Sequence, residues 1–326
     1  MKKVLIITYY WPPAGGPGVQ RILNFVKYLP ENGWQPVVLT VKSGEYPEID
    51  TTLLNEVPTE IPIFRTSTAE PYTFYRWLVH GEKAEKIPTF VLTESEDENL
   101  LRKMSAIIRG NIFIPDAKIG WRPFAVKKAK EIFVSHDISL VFSTSPPQTV
   151  NLIAKKISGQ KKIPWIADLR DPWTDIFYYH RLKRYEWAKK LDRYLERTSL
   201  EKADSIITVS PFISRMLQKK IVNRYHVIPN GFDHKAFIGK SPVENKSVFR
   251  IVHTGHLAGN QNPEILWDVL RSMILENTEF RENLKIEFYG RIHSDIKMML
   301  ETGKLKDHVH FHPYIPHNQV VEVMMG

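Results

Sequence analysis

The chain has 326 residues, enough for two domains, because a single core usually stops growing at about 250–300 residues. An apolar fraction of 43% with 25% charged residues is that of a soluble globular protein, and the absence of cysteine excludes a disulfide framework, a cysteine-ligated metal and a thiol nucleophile. The formal charge of +9 favours an anionic partner, but no zinc-finger or RNP-type signature accompanies it, so nucleic acid is not expected.

Lys2-Lys3 and the apolar run Val4–Ile7 are followed by Thr8 and the Pro12-Pro13 pair. The run reads as a buried parallel strand and not as a secretion signal, since no small-residue cleavage site follows. No stretch approaches the roughly 20 apolar residues of a membrane-spanning helix, and the expected location is the cytoplasm. Short β-branched runs then alternate with helical stretches, the pattern of a parallel sheet covered on both faces. Strands are predicted over Val4–Tyr10, Pro36–Val41, Ile61–Thr66, Leu140–Ser145, Trp165–Arg170, Ser205–Ser210 and His226–Pro229. Helices are predicted near Val19–Leu29, Phe124–Phe133, Thr149–Ser158, Tyr185–Glu201 and Phe212–Lys219.

Residues 67–120 break this rhythm with Pro71, Pro88, Pro115, the acidic run Glu94–Glu98 and a predicted helix over Asn99–Arg109. They read as an excursion beside the sheet that either shapes an acceptor site or merely decorates the fold. Asp233–Val248 is polar and aperiodic, the natural linker. A second domain follows: strand 249–255, helix 263–277, strand 285–290, helix 294–302, strand 309–315 and a helix from His317. The division is therefore 1–232, a linker over 233–248, and 249–326. His308, His310 and His312 alternate on one strand candidate. That spacing can chelate a metal, but without a carboxylate motif it reads as a half-exposed edge.

Three segments carry candidate chemistry. The first strand runs into Gly15, Gly16 and Gly18, then Arg21 and an amphipathic helix. Glycines allow a sharp turn and close approach of a ligand, the helix start offers free N–H groups, and Arg21 adds a cation. The spacing departs from the dinucleotide fingerprint because Arg21 stands where its third glycine would fall. Asp168, Arg170 and Asp171 close a buried strand. Either carboxylate can orient an acceptor hydroxyl while Arg170 holds a phosphate, or the block is a structural ion pair fixing the Pro172-Trp173 turn. Ser143 and Ser145 end another strand, where they can line a cleft, and Asn230-Gly231 ends the last strand of the first domain. Residues 178–197 hold seven Lys or Arg against three Asp or Glu with interleaved aromatics, which suits either a solvated face or an anionic membrane surface.

The glycine loop Tyr10–Arg21, Ser143–Pro147, Pro164–Trp173, Ala203–Ser210 and Val227–Asp233, in this order and spacing, resemble the family-4 glycosyltransferases of the two-domain GT-B class. The resemblance implies an α/β fold of two Rossmann-like doubly wound parallel-sheet domains. It further implies transfer of a sugar from a nucleotide-diphosphate sugar to a saccharide or lipid-linked acceptor, with retention of configuration, in cell-surface polysaccharide synthesis. The first domain would take the acceptor and the second the donor, with no metal or other cofactor. By the same resemblance Gly255, His256 and Asn260 form the loop that cradles the donor diphosphate. His256 and Asn260 stand where relatives carry cations, so either loop amides with Gly290-Arg291 hold the diphosphate or donor binding is weak. Asp168 departs from the family's frequent histidine. The family's acidic donor motif is expected beyond residue 326, making the second domain partial here. A non-catalytic module that binds sugar nucleotides is the alternative.

Overall fold

The computed structural model describes residues 1–69, 107, 110–238 and 248–325. The chain divides into two compact units, Met1–Gly231 and Phe232–Gly326. In the first, seven parallel strands run β1 (Lys2–Ile7), β2 (Trp34–Val41), β3 (Ile63–Thr66), β4 (Ile138–Ser145), β5 (Trp165–Leu169), β6 (Ser205–Thr208) and β7 (Tyr225–Val227). Their order across the sheet is β3-β2-β1-β4-β5-β6-β7. The order reverses between β1 and β4, which pair with Val4 opposite Leu140 and Ile7 opposite Ser143.

Both faces of this sheet are covered. Leu5, Ile7, Val37 and Leu39 pack with Ala125, Ala129 and Ile132 of α2 (Arg122–Ser135) and with Val150, Ile153 and Ile157 of α3 (Thr149–Lys161). Val4, Ile6 and Val38 turn the other way, onto Val19, Ile22, Leu23 and Val26 of α1 (Pro17–Tyr28). Side chains alternate across a strand, so an apolar run such as Val4–Ile7 must fill two cores at once. The helical residues Val19, Ile22, Leu23 and Val26 recur at i, i+3, i+4 and i+7, one stripe of a helix. The unit is completed by α4 (Glu186–Leu200) and α5 (Pro211–Gln218). In α5, Ser210 Oγ accepts from Ile213 N at 3.3 Å and Pro211 holds the first turn.

The second unit has a three-stranded parallel sheet, order β10-β9-β8, from β8 (Phe249–Thr254), β9 (Leu284–Tyr289) and β10 (Val309–His312). Its core joins Trp267, Leu270 and Ile274 of α6 (Glu264–Glu276) to Ile286 and Phe288, and to Ile296 and Leu300 of α8 (Ser294–Thr302). A short α7 (Thr278–Asn283), capped by Asn277, and α9 (His317–Met325) complete it.

All seven first-unit strand predictions fall on strands, with two to three residues lost at several ends. Tyr10, Arg170 and Ser210 leave the sheet for the loops at its carboxyl edge. The helix α7 was not foreseen, because Thr278–Asn283 is a single polar stretch without an apolar stripe. The predicted helix over Asn99–Arg109, apart from Ile107, and the acidic run Glu94–Glu98 lie outside the described residues, as do residues 239–247 of the predicted linker. His308 precedes β10, which lies at a sheet edge. His312 stacks on Tyr289 at 4.3 Å between ring centroids and sets Nε2 3.3 Å from Glu287 Oε1. No helix among the described residues is long and apolar enough to cross a membrane.

Candidate active site

At the carboxyl edge of the first sheet, where the strand order reverses, the loops after β1, β4 and β5 meet, the usual position of ligands in open α/β sheets. Gly16 takes φ +96°, a left-handed conformation that disfavours other residues, and from there α1 starts with Pro17 in its first turn. Gly18 serves another purpose. A Cβ at this position would lie 1.5 Å from Arg170 Nη1, so the missing side chain makes room for a guanidinium. Arg170 is fixed from behind: Nε donates to Ser145 O at 3.1 Å and Nη2 to Pro146 O at 2.6 Å. Burial works against its charge, and Asp168 and Asp171 offset that.

Gly15 is held lower in the loop, its N–H donating to Glu48 O at 3.0 Å beside the Ala14–Ile49 bridge.

Arg21 does not face a ligand, contrary to the sequence expectation. Its Nη2 donates to Asp168 Oδ1 at 2.8 Å and its Nε to Oδ2 at 3.1 Å, while Nη1 reaches Pro229 O and Asn230 Oδ1 at 3.0 and 3.2 Å. Asp168 is fully buried and also accepts from Thr144 Oγ1 at 2.8 Å. Two buried opposite charges satisfy each other, which removes both from surface chemistry. Of the two open readings of the Asp168–Asp171 block, the structural ion pair holds for Asp168, with Arg21 as its unforeseen partner. Ser143 and Ser145 are fully buried too. Asn151 Nδ2 donates to Ser145 Oγ at 3.2 Å and Trp165 Nε1 to Ser143 Oγ at 2.8 Å, so these hydroxyls tie β4 to its neighbours and line no cleft.

Asp171 is the exception in its block. It is half-buried and forms no hydrogen bond or ion pair among the described residues. Burial pushes its carboxyl pKa up, opposed by Arg170. A carboxylate of raised basicity beside an arginine is suited to take or orient a proton.

Three groups that sequence reasoning missed, Tyr10, Asp116 and Lys118, lie together near Arg170. Tyr10, at the end of β1, has its phenol pKa raised by burial and lies in the fields of Lys118, Asp116 and Arg170. Asp116 accepts from Thr149 N and Oγ1, both at 2.8 Å, and from Lys118 N at 2.9 Å. It therefore caps α3 from a distant loop, and burial raises its pKa against those bonds. Lys118 lies 5.1 Å from the Tyr9 ring centroid and 3.5 Å from Glu45. No local motif marks Asp116, since its partner is 33 residues away.

The second unit has its own glycine turn. Gly255 at the end of β8 takes φ +110° and Gly290 at the end of β9 takes φ +126°. A Cβ on Gly290 would lie 2.3 Å from Gly255 O, so the two turns pack back to back only as glycines. Leu257 N donates to Arg291 O at 2.9 Å and His293 N to Leu257 O at 3.0 Å, which lace Gly255–Asn260 onto Gly290–His293. A Cβ on Gly259 would lie 3.2 Å from the His293 ring, so the glycine leaves that ring its room. His256 and Asn260 are exposed on this loop, and Arg291 is half-buried. His253 sits just before the turn with no partner for Nε2, and burial lowers its pKa.

The model of Glycosyltransferase Family 4 matches residues 80–236. The match lies almost wholly in the first unit, which is similar to family-4 glycosyltransferases. No curated protein matches the chain in sequence. Solved structures similar to this chain include sucrose-phosphate synthase from Thermosynechococcus elongatus, at TM-score 0.58 and 13% identity over 98% of this chain and 72% of that one. Anabaena HepE in complex with UDP and glucose matches at TM-score 0.54 and 14% identity, covering 97% and 70%. An S. aureus TarM variant in complex with UDP, fondaparinux and alpha-GlcNAc-glycerol matches at 0.58 and 10%, covering 100% and 79%. At such identities the likeness is one of fold: the chain has the GT-B type, two parallel-sheet units in one chain.

Proposed function

We propose that this chain transfers a sugar from a nucleotide-diphosphate sugar to a saccharide or lipid-linked acceptor, with retention of configuration, in the synthesis of a cell-surface polysaccharide on the cytoplasmic side. The observation that carries the reading is the pair Arg170 and Asp171 beneath the glycine loop of a unit similar to family-4 glycosyltransferases, one cation pinned by backbone carbonyls and one uncommitted carboxylate. Asp171 receives the acceptor hydroxyl, orients it on the face that the diphosphate leaves, so that configuration is retained, and draws off its proton as the bond from the sugar to the diphosphate gives way to the bond to the acceptor. Arg170 balances negative charge at the same edge. In the second unit the Gly255 and Gly290 turns and Arg291 hold the donor diphosphate, with backbone amides in place of the cations that His256 and Asn260 do not supply. Chain cations and amides neutralise the departing group in this reading, so no metal is required. That HepE and TarM were solved with UDP supports a nucleotide donor.

The test is thermal melting of the chain against UDP-, GDP-, ADP- and dTDP-sugars, followed by product formation with the donor that binds. A ligand at 100 times its Kd adds about 2.7 kcal/mol, a shift of roughly 5–10 °C or more at about 2–4 °C per kcal/mol for a domain of 150–250 residues. A shift with one base names the donor. Flat curves with all four would overturn the donor side of the reading, and a shift without turnover on any acceptor would leave a binding module.

A further inference from the structure

Helix α4 is built inside out. Towards the protein it buries Ala188, Asp192, Glu196 and Ser199. Asp192 accepts from Trp173 Nε1 and Tyr179 Oη, both at 2.8 Å, and pairs with buried Arg184. Glu196 accepts from Thr174 Oγ1 and from Lys220 Nζ, the latter at 2.7 Å. Towards solvent it presents Trp187, Leu191 and Tyr194, exposed by 56%, 41% and 63%. These three recur at i, i+4 and i+7 and therefore share one stripe. A helix that hides its carboxylates and displays its tryptophan gains nothing in water from the arrangement, and large exposed apolar stripes mark interaction sites.

Charge identifies the partner. Exposed Lys190, Arg193 and Arg197 flank the stripe, and exposed Arg181 and Lys183 precede the helix. Lys190 and Arg193 form no ion pair among the described residues. Of the three that flank the stripe, only Arg197 is offset, by Glu201 at 2.8 Å; Asp192 and Glu196 are buried, and Glu186 is paired with Lys189 at 2.7 Å. A second exposed stripe shows the contrast. Ile265, Val269 and Met273 on α6 are 81%, 50% and 38% exposed, but Glu264, Asp268 and Glu276 share that helix with Arg271 alone, so it carries no cationic rim. Tryptophan and tyrosine prefer the boundary between lipid headgroups and acyl chains, and lysine and arginine beside them attract an anionic leaflet.

We propose that the exposed face of α4 docks this protein on an anionic membrane surface, with Trp187, Leu191 and Tyr194 entering the headgroup region and Lys190 and Arg193 contacting lipid phosphates. The inference does not depend on the reaction assigned above. Arg184, although basic and in the same stretch, takes no part, because it is buried against Asp192 and Pro115.

The experiment is flotation of the full chain with vesicles of phosphatidylglycerol mixed with phosphatidylcholine, and with vesicles of phosphatidylcholine alone. The wild type is expected to float with the anionic vesicles and to release at high salt. Each cation near the surface is worth about five-fold in affinity, so Lys190→Glu with Arg193→Glu should weaken binding by about 25-fold or more. Trp187→Ser with Tyr194→Ser should weaken it while leaving its salt dependence in place. All four positions are exposed, so the variants should melt with the wild type, and melting curves verify this. Undiminished flotation of the charge-reversed variant overturns the proposal. Equal flotation with neutral vesicles overturns it too. Sedimentation showing a wild-type dimer that Leu191→Glu disperses, without flotation, would assign the face to a second copy of the chain instead.

Discussion

Arg21 and Asp168 form a two-pronged ion pair, 2.8 and 3.1 Å long, in which both side chains are almost completely buried. The pair fastens the helix after the glycine loop to the strand that ends in Arg170 and Asp171. It thereby fixes the height of the loop above the two groups assigned to catalysis. Removing either partner leaves the other charge buried without a counter-ion. Arg21→Ala or Asp168→Ala should each cost roughly 3–5 kcal/mol, read as a fall in the urea midpoint. Arg21→Lys should rescue little, since an ammonium cannot bridge both carboxylate oxygens. The double variant Arg21→Met with Asp168→Leu should be less destabilised than either alanine variant. Strictly additive losses would contradict mutual neutralisation.

Gly18→Ala places a methyl where the Arg170 guanidinium now lies. The arginine must leave its two carbonyl partners or the loop must lift. A loss of about 1–3 kcal/mol is expected, accompanied by a fall in transfer activity. Gly159→Ala, where an added Cβ would meet nothing within 4 Å, serves as the comparison. A Gly18→Ala enzyme with wild-type melting and turnover would show that Arg170 has another comfortable position.

Asp171 is expected to set the acid limb of the pH profile. Burial raises its pKa in the folded protein. The carboxyl thus stays protonated to higher pH than an ordinary aspartate, and activity that needs the carboxylate falls as pH drops through that raised value. The linked stability runs in the opposite sense. The neutral form is the one the fold tolerates, so the contribution is full below the unfolded pKa and is lost as pH rises through the folded one. Asp171→Asn should flatten the acid limb of kcat/KM and lower its plateau by about 100-fold or more. An unchanged limb would move the proton-accepting role to another group.

Gly290→Ala brings a methyl to 2.3 Å from Gly255 O and forces a positive φ on an ordinary residue. Roughly 1–3 kcal/mol of strain is expected. The sharper readout is loss of the sugar-nucleotide melting shift while the unliganded second unit remains folded by circular dichroism. Retention of the full shift would place donor recognition away from these turns.

Much of the architecture was legible because its signals are local. Val4–Ile7, Pro36–Val41 and Trp165–Leu169 are continuous apolar runs, and a strand covered on both faces requires that. The glycine turn at Gly16 was legible for the same reason, since positive φ at a loop entering a helix leaves few alternatives. What escaped was set by partners distant in the chain. Arg21 looks like a ligand cation until Asp168, 147 residues on, is found against it. Ser145 looks like a cleft residue until Asn151 and Asp168 close over it. Asp116, in a proline-rich stretch, gives no hint that it caps a helix beginning at Thr149. Of the Asp168–Asp171 block, sequence gave equal standing to both carboxylates; only burial distinguishes the one held by Arg21 and Thr144 from the one left uncommitted.

The third prong of Arg21 has a mechanical consequence. Its Nη1 holds Pro229 O and Asn230 Oδ1, and the first unit ends at Gly231. The point where the polypeptide leaves this unit is therefore tethered, not a free swivel, and its anchor is the helix that carries the glycine loop. The last residues of the unit are held to the same helix that opens at the glycine loop.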